Sequence, residues 1–286
     1  MVVVTRDRRT RLMTTLAHLT ALPEPLDVLV VDNASGDGTA GAVVRRFPQV
    51  RVVRSPANLG AAARNIGVGS VSSPYVAFSD DDSWWEPGAL ARACDLFDDR
   101  PGLGLIAGRI LVGERGETDP TCLTMATSPL PSGAGSVGPS VLGFLACGAV
   151  VRRRAFLQVG GFHPRLMIGG EERLLAIDLS VAGWVLAYVD DVVARHHPAP
   201  GPRAGRRRRE TRNAVWTAWL RRRALGAIGE TMWAVRRAGD PEAALGLLDA
   251  LGGWRWVLRE RRPVPAGLDR ALALVDGWDG SASPSA

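Results

Sequence analysis

Short apolar runs rich in valine alternate with helix-like segments through the first hundred residues, and this alternation most constrains how the chain can fold. The pattern predicts four strands, at residues 2–4, 27–31, 50–53 and 75–79. It also predicts a helix after each strand, at residues 11–22, 39–47, 61–71 and 86–97. Such alternation is typical of an α/β protein whose central sheet is mostly parallel, with helices on both faces.

Composition is compatible with such a domain and suggests the chemistry of its partners. The chain has 286 residues, of which 46% are hydrophobic, enough for one large domain with an appendage. The net charge is +6, and all of the positive charge is arginine, because the sequence has no lysine. A basic chain suits a phosphorylated substrate, an anionic membrane or nucleic acid, and arginine grips phosphate with paired hydrogen bonds. Coding bias in an Ala-, Gly- and Arg-rich genome is the simpler explanation for the missing lysine.

Cysteine usage and hydropathy indicate the compartment. Cys94, Cys122 and Cys147 are odd in number and lack metal-ligand spacing, so neither a disulfide scaffold nor a zinc site is expected. The most apolar stretch, residues 141–151, falls short of the roughly 20 residues that span a bilayer. We therefore expect a cytoplasmic protein that can lie at the inner face of the membrane.

Two later stretches differ from the first hundred residues. Residues 113–140 are rich in Gly, Pro, Ser and Thr, which predicts a flexible loop, either a binding lid or a surface insert. Residues 201–276 are rich in Arg, with Trp and Leu at helical spacing, which predicts a C-terminal helical region. Its arginine run could contact anionic lipid or nucleic acid, or form a solvated helix face. Residues 277–286 read as a disordered tail.

Three carboxylates stand in a row in the segment FSDDDSWW, residues 78–85, at the predicted end of the fourth strand. Clustered carboxylates at a strand end suit a hard cation such as Mg²⁺ or Mn²⁺. Asp80 and Asp82 share one side of an extended segment, whereas Asp81 points elsewhere, for example to a sugar hydroxyl. The alternative is an Asp-rich start of the following helix.

Two further polar clusters lie near the same predicted sheet edge, where ligands bind in this class of sheet. Residues 31–39 (VDNASGDGT) place Asp32 at the end of the second strand, where it could accept from a base or a ribose. Ordinary turn chemistry would also explain that segment. Residues 56–68 (PANLGAAARNIGV) place Asn58 before a helix and Arg64 within it. Neither GxGxxG nor GxxxxGK[ST] is present, which argues against a dinucleotide fold and a P-loop.

The order of these clusters resembles the family-2 glycosyltransferases with the A-type fold. Three later segments also resemble that family: 144–162 with its Gly-Gly-Phe turn, 169–184 (GGEERLLAIDLSVAGW) and 194–199 (ARHHPA). The resemblance covers residues 1–200 and implies a catalytic domain there. Within it, residues 1–112 would bind the nucleotide sugar, 113–140 would form the flexible loop, and 141–200 would form the acceptor and catalytic half.

The resemblance implies inverting transfer from a nucleotide-diphosphate sugar, UDP- or dTDP-linked, to an acceptor hydroxyl. The acceptor would be a sugar, a lipid-linked molecule or a small molecule, and nucleic acid is not expected. The implied donor-binding residues are Thr5, Arg6, Asp32, Asn58, Arg64, Asp80 and Asp81. The implied ligands of Mn²⁺ or Mg²⁺ are Asp80, Asp82 and His196, with His197 as the alternative to His196.

The general base falls, by family position, on the second residue of an acidic pair, which is Glu172 beside Glu171. The family carries Asp there, and Glu is one methylene longer but equally able to deprotonate a hydroxyl. The family often has a further Asp and an Arg along this helix, whereas this chain has Leu174 and Asp178.

Trp84 and Trp85 follow the acidic triplet and could form a platform for the acceptor sugar, or pack in the core.

The sequence is also compatible with two other functions. A sugar-1-phosphate nucleotidyltransferase also uses an α/β sheet and carboxylate-bound metal, although the chain lacks a Gly-rich phosphate loop with a basic residue near its start. A non-catalytic scaffold that binds through its Arg- and Trp-rich C-terminal region is the other.

Overall fold

The computed structural model describes residues 1–133, 136–199 and 205–278, within which the chain forms nine strands and twelve α-helices. The strands are β1 (Val2–Thr5), β2 (Leu29–Asp32), β3 (Arg51–Arg54), β4 (Tyr75–Asp80), β5 (Ser83–Trp85), β6 (Leu103–Val112), β7 (Glu117–Thr118), β8 (Ala149–Arg152) and β9 (Val185–His196). The helices of the first part are α1 (Arg9–Thr20), α2 (Thr39–Arg46), α3 (Ala63–Gly69), α4 (Ala89–Asp99), α5 (Pro120–Ala126), α6 (Arg153–Gln158) and α7 (Glu171–Val181). The C-terminal helices are α8 (Arg206–Arg221), α9 (Ala224–Arg236), α10 (Pro241–Gly252), α11 (Trp254–Glu260) and α12 (Ala266–Asp276).

The first four strands form the parallel half of the sheet, in the order β3-β2-β1-β4. Val2, Val3, Val30 and Val31 are all fully buried, which is why these strands are continuous apolar runs rather than alternating ones. The register pairs Thr5 with Asp32. Because the strands run parallel, their polar carboxyl ends meet at one edge, and the predicted α/β class is confirmed.

The second half of the sheet is mixed, so the predicted mostly parallel arrangement holds only up to β4. β8 pairs antiparallel with both β4 and β6, β6 runs parallel to β9, and β9 pairs antiparallel with β5. The short strand β5, directly after the acidic triplet, was not predicted. It forms because Ser83 pairs with His196 of β9, more than a hundred residues away, and no local pattern records such a pairing.

Residues 113–140 are more ordered than a flexible loop. The segment contains β7 and the helix α5, apart from residues 134–135, which lie outside the described part. Pro120 occupies the first turn of α5, and the Asp119 side chain caps the helix by accepting from the Thr121 N–H. Cys122 and Met125 turn one face of this helix into the core. The segment that was predicted as a flexible loop therefore contains a short capped helix with two buried side chains.

The described part of the C-terminal region is helical, as expected, and α8 lies at its centre. α8 packs against α7, α9, α10 and α11, with Trp216 and Leu220 buried in a separate core cluster. Three residues of the arginine run make ion pairs within the region. These pairs are Arg206 with Glu210, Arg207 with Asp240 and Arg208 with Asp249. The predicted tail, residues 277–286, lies largely outside the described residues.

Among the helices of the described residues, none combines the length and apolarity that crossing a bilayer requires.

Candidate active site

Arginines neutralise the acidic triplet at the end of β4. The Arg8 guanidinium lies 2.7 Å from Asp81 Oδ1 and 3.0 Å from Asp82 Oδ2, whereas Arg64 pairs with Asp80. Three adjacent carboxylates are therefore tolerable before any ligand binds. The triplet does not start a helix, because it leads into β5. The sequence analysis did not identify Arg8 as a site residue. Its position shortly after β1, at the same sheet edge as the triplet, could have indicated it.

Arg6, the predicted donor contact, lies away from the triplet. Its Nε is 3.5 Å from Asp7 Oδ2, and its side chain is 47% exposed. It lines the same sheet edge but contacts none of the three aspartates within ion-pair distance.

Asp81 is buried beneath this edge rather than displayed on it, with 4% of its surface exposed. Its Oδ2 accepts a hydrogen bond from Thr5 Oγ1 at 3.0 Å. Burial raises the pKa of Asp81 to about 7, although the nearby Arg8 charge opposes the shift. Thr5 and Asp81, both predicted to bind the donor, are thus hydrogen-bonded to each other below this edge.

A candidate metal position lies between Asp82 and His196. Asp82 Oδ1 is 3.4 Å from His196 Nε2, because the pairing of β5 with β9 places the two residues side by side. The His197 ring instead stacks on Trp84 with centroids 4.7 Å apart, and its Nδ1 lies 3.5 Å from Glu114. The geometry thus favours His196 over His197.

The residues fit a divalent ion through these two ligands. Asp80, the third predicted ligand, turns toward Arg64, and no group of three acidic, His or Cys side chains converges on one point in the described residues. One or two protein ligands are nevertheless usual for Mg²⁺ when substrate phosphates complete its coordination. Oxygen and imidazole donors also suit Mn²⁺.

Asp32 and Asn58 shape the neighbouring part of the edge. Asp32 is 1% exposed; its Oδ1 accepts from the Ser35 N–H at 2.9 Å and its Oδ2 from Arg54 Nε at 3.1 Å. Asn58 Oδ1 accepts from Asn33 Nδ2 at 3.0 Å and so braces the turn. Arg54, whose side chain is 63% exposed, is the residue here that could reach a phosphate, and sequence reasoning missed it.

The predicted base lies at the start of α7, close to Arg64. Glu171 is 4% exposed, and its carboxylate accepts from the Gly169 N–H, which ties it to its own turn. Glu172 is half-buried. Burial, and next the adjacent Glu171, raise the pKa of Glu172, and burial also raises that of Glu171.

Arg64 couples this glutamate pair to the acidic triplet. Although burial opposes its charge, Asp80, Glu171 and Glu172 together raise the pKa of Arg64. Arg64 also packs against the rings of Phe78 and Phe162. The fold thus brings residues from β4, α3 and α7 within electrostatic reach of one another.

The turn before α7 is fixed from two sides. The Ala61 N–H donates to Met167 O at 2.8 Å, and Asn213 Nδ2 of α8 donates to Leu166 O at 2.8 Å and Gly169 O at 2.7 Å. Asn213 is fully buried. A side chain at Gly60 would lie 2.7 Å from the Met167 backbone, so only glycine permits this approach. The C-terminal helices therefore position the glutamates, which the sequence did not reveal.

Both tryptophans predicted to form an acceptor platform pack against other parts of the chain. Trp85 is 1% exposed, and its Nε1 donates to Phe78 O at 3.1 Å, so it belongs to the core. Trp84 stacks with His18 and with His197, with centroids 4.0 and 4.7 Å away. These two contacts occupy ring surface on which a sugar would otherwise pack.

A parallel sheet edge carrying Asp32 and the arginine-paired triplet, opposite an acidic helix start, defines an A-type glycosyltransferase. Sequence comparison agrees with this class: the model of the family "Glycosyl transferase family 2" matches residues 1–160. The chain belongs to glycosyl transferase family 2.

Two curated relatives come from Mycobacterium tuberculosis. The chain is 30% identical over 218 residues to N-acetylglucosaminyl-diphospho-decaprenol L-rhamnosyltransferase, covering 64% of this chain and 71% of that protein. It is 31% identical over 185 residues to pre-mycofactocin glycosyltransferase, covering 60% of this chain but only 37% of that protein.

Solved structures show the same fold at low identity. Staphylococcus aureus TarS 1–349 in complex with UDP-GlcNAc matches with a TM-score of 0.60 at 15% identity, over 76% of this chain and 64% of that chain. The mannosyltransferase PcManGT from Pyrobaculum calidifontis, in complex with GDP-Man and Mn²⁺, matches with a TM-score of 0.58 at 20% identity, over 97% of this chain and 86% of that one.

Proposed function

We propose that this protein is an inverting, divalent-metal-dependent glycosyltransferase that moves a sugar from a UDP- or dTDP-sugar to a lipid-linked saccharide. The observation that carries the proposal is that Glu172 lies within electrostatic reach of Arg64 and Asp80. Asp80 belongs to the sheet edge that also carries Asp32, which we call the donor edge. The name of the rhamnosyltransferase relative supports a deoxyhexose such as L-rhamnose as the sugar and a polyprenyl diphosphate saccharide as the acceptor. We place the reaction at the cytoplasmic face of a membrane.

Glu172 is the base in this scheme. It takes the proton of the acceptor hydroxyl as that oxygen bonds to the anomeric carbon, and the bond from that carbon to the diphosphate breaks. The nucleoside diphosphate leaves with the bonding electron pair, and attack from the opposite side inverts the anomeric centre. Glu172 suits the role better than Glu171 because the Glu171 carboxylate is already bonded to Gly169.

The donor edge stabilises the departing diphosphate. Arg54 reaches into solvent beside Asp32 and is positioned to bind a phosphate or the ribose side of the nucleotide. Asp82 and His196 would hold the divalent ion. When bound, that ion supplies positive charge that offsets the negative charge developing on the leaving group.

The experiment that tests the proposal compares sugar transfer by wild type, Glu172→Gln and the matched neighbour Glu171→Gln, with Mn²⁺ and dTDP- or UDP-sugars. Loss of a well-positioned base costs on the order of 10²–10⁴-fold in kcat, so Glu172→Gln should be nearly inactive yet still bind donor. Full activity of Glu172→Gln would refute the assignment. Release of pyrophosphate from a nucleoside triphosphate and sugar phosphate would point instead to a nucleotidyltransferase.

A further inference from the structure

The helix α9 carries an apolar stripe on its exposed side. Leu225, Ile228, Met232 and Val235 follow one another at intervals of three or four residues and so share one face. Their exposed fractions are 85%, 47%, 49% and 46%. A helix of a globular domain usually turns such a stripe toward the core, so this one is available for another surface.

The stripe continues around a cavity between the C-terminal helices. The cavity has a volume of 380 Å³ and is lined by α8, α9, α10 and α11, with Trp216 and Val257 on its buried side. Val235, Leu248, Leu251 and Trp254 line it and stand on its outer rim, with Leu248 62% and Leu251 69% exposed. We call the α9 stripe together with Leu248, Leu251, Trp254 and Leu258 the apolar face.

Exposed arginines border the apolar face. Arg236 and Arg237 directly follow Val235, and Arg255 and Arg259 lie one turn apart on α11 beside Trp254 and Leu258; all four are exposed. Residues 205–278 contain fifteen arginines against eight Asp and Glu, an excess of seven positive charges in a chain of net charge +6. The positive charge of the molecule is therefore concentrated in this helical region.

The acidic residues of the region are engaged elsewhere. Asp240 and Asp249 pair with the arginine run of α8, Glu260 with His163, and Asp269 and Asp276 with Arg222. Arg237 lies over the Trp233 ring, 3.9 Å from its centroid. The exposed Arg236, Arg255 and Arg259 are thus left to present their charge outward.

We propose that the apolar face docks the protein on an anionic phospholipid bilayer. The exposed leucines and Trp254 enter the boundary between headgroups and acyl chains, and the bordering arginines bind phosphate headgroups. Exposed apolar side chains flanked by arginine are the combination that anionic membranes attract. A second copy of this chain fits less well, because pairing two such faces would bring like charges together. The proposal goes beyond glycosyl transfer and needs neither donor nor acceptor.

The test is co-sedimentation of the full chain with vesicles, without nucleotide, metal or acceptor. Vesicles of phosphatidylcholine are compared with vesicles containing about 30% phosphatidylglycerol, at low and high salt. Wild type should bind the anionic vesicles, and salt should weaken that binding. The double variant Leu248→Glu/Leu251→Glu should bind on the order of tenfold more weakly or worse, because both leucines leave the interface. Arg236→Gln/Arg255→Gln/Arg259→Gln should lose roughly fivefold per arginine.

The matched control is Leu123→Glu on α5, a leucine of similar exposure, 58%, outside the C-terminal region. It should bind like wild type. Unchanged binding of the leucine double variant, or equal binding to both kinds of vesicle, would overturn the proposal. A dimer in solution that Leu251→Glu dissociates, together with no vesicle binding, would assign the face to a second copy instead. Because the substituted residues are exposed, the melting temperature should not change, and the arginine variant gives a second test should the leucine variant misfold.

Discussion

Asn213→Ala should damage both the stability and the activity of the enzyme from a position on α8 outside the acidic edge. The fully buried Asn213 amide donates to Leu166 O at 2.8 Å and to Gly169 O at 2.7 Å, in the turn that leads into Glu171. Each lost hydrogen bond costs about 1 kcal/mol, and more if the buried carbonyl stays unpaired. The expected loss in the free energy of unfolding is therefore about 2–4 kcal/mol.

The variant should melt several degrees lower and turn over more slowly. Its KM for the donor should change little, because the donor edge belongs to β1, β2 and β4, whereas kcat should fall on the order of tenfold or more as α7 loses its fixed start. Arg207→Ala is the matched control on the same helix: its ion pair with Asp240 is exposed and is worth less than about 1 kcal/mol. If Asn213→Ala melts and turns over like Arg207→Ala, α8 does not position the glutamates.

Three further predictions concern the charged groups. Because the pKa of Glu172 is raised, kcat/KM should climb with pH above the ordinary range of a glutamate, and a pH–rate profile that is flat there would contradict the base assignment. The same raised pKa stabilises the fold when Glu172 is protonated, and that stability is lost as pH rises through the folded pKa, so Glu172→Gln should melt at a higher temperature than wild type at pH 9 or so but not at pH 4 or so. His196→Ala should abolish the shift in melting temperature that Mn²⁺ produces with donor, whereas His197→Ala should keep most of it; the reverse result would move the ligand to His197.

Local patterns carried the prediction of the first half of the fold. The buried valines of β1 and β2 form unbroken apolar runs, and the polar residues at their ends could be placed at one edge because parallel strands share a direction. The position of Asp32 and of the acidic triplet followed from that rule alone.

Local patterns could not predict pairings between segments that are distant in the sequence. Strand β5 forms through the pairing of Ser83 with His196 of β9. Helix α5 is held in place by the burial of Cys122 and Met125 in the core. The ring contacts of Trp84 were unpredictable for the same reason: it stacks with His18 of α1 and with His197, which directly follows β9. The ion pairs that the arginine run of α8 makes with Asp240 and Asp249 likewise join distant segments that no local pattern relates.

The sequence by itself determined the α/β class, the edge that carries Asp32 and the triplet, and the acidic pair Glu171-Glu172, since each depends on residues close together in the chain. The tertiary structure decided which arginine neutralises which carboxylate, which histidine faces Asp82, and how Asn213 holds the start of α7. These are contacts between segments tens to more than a hundred residues apart. Such contacts form only when the whole core is packed, and they produce no periodic pattern of residues that could be recognised in the sequence.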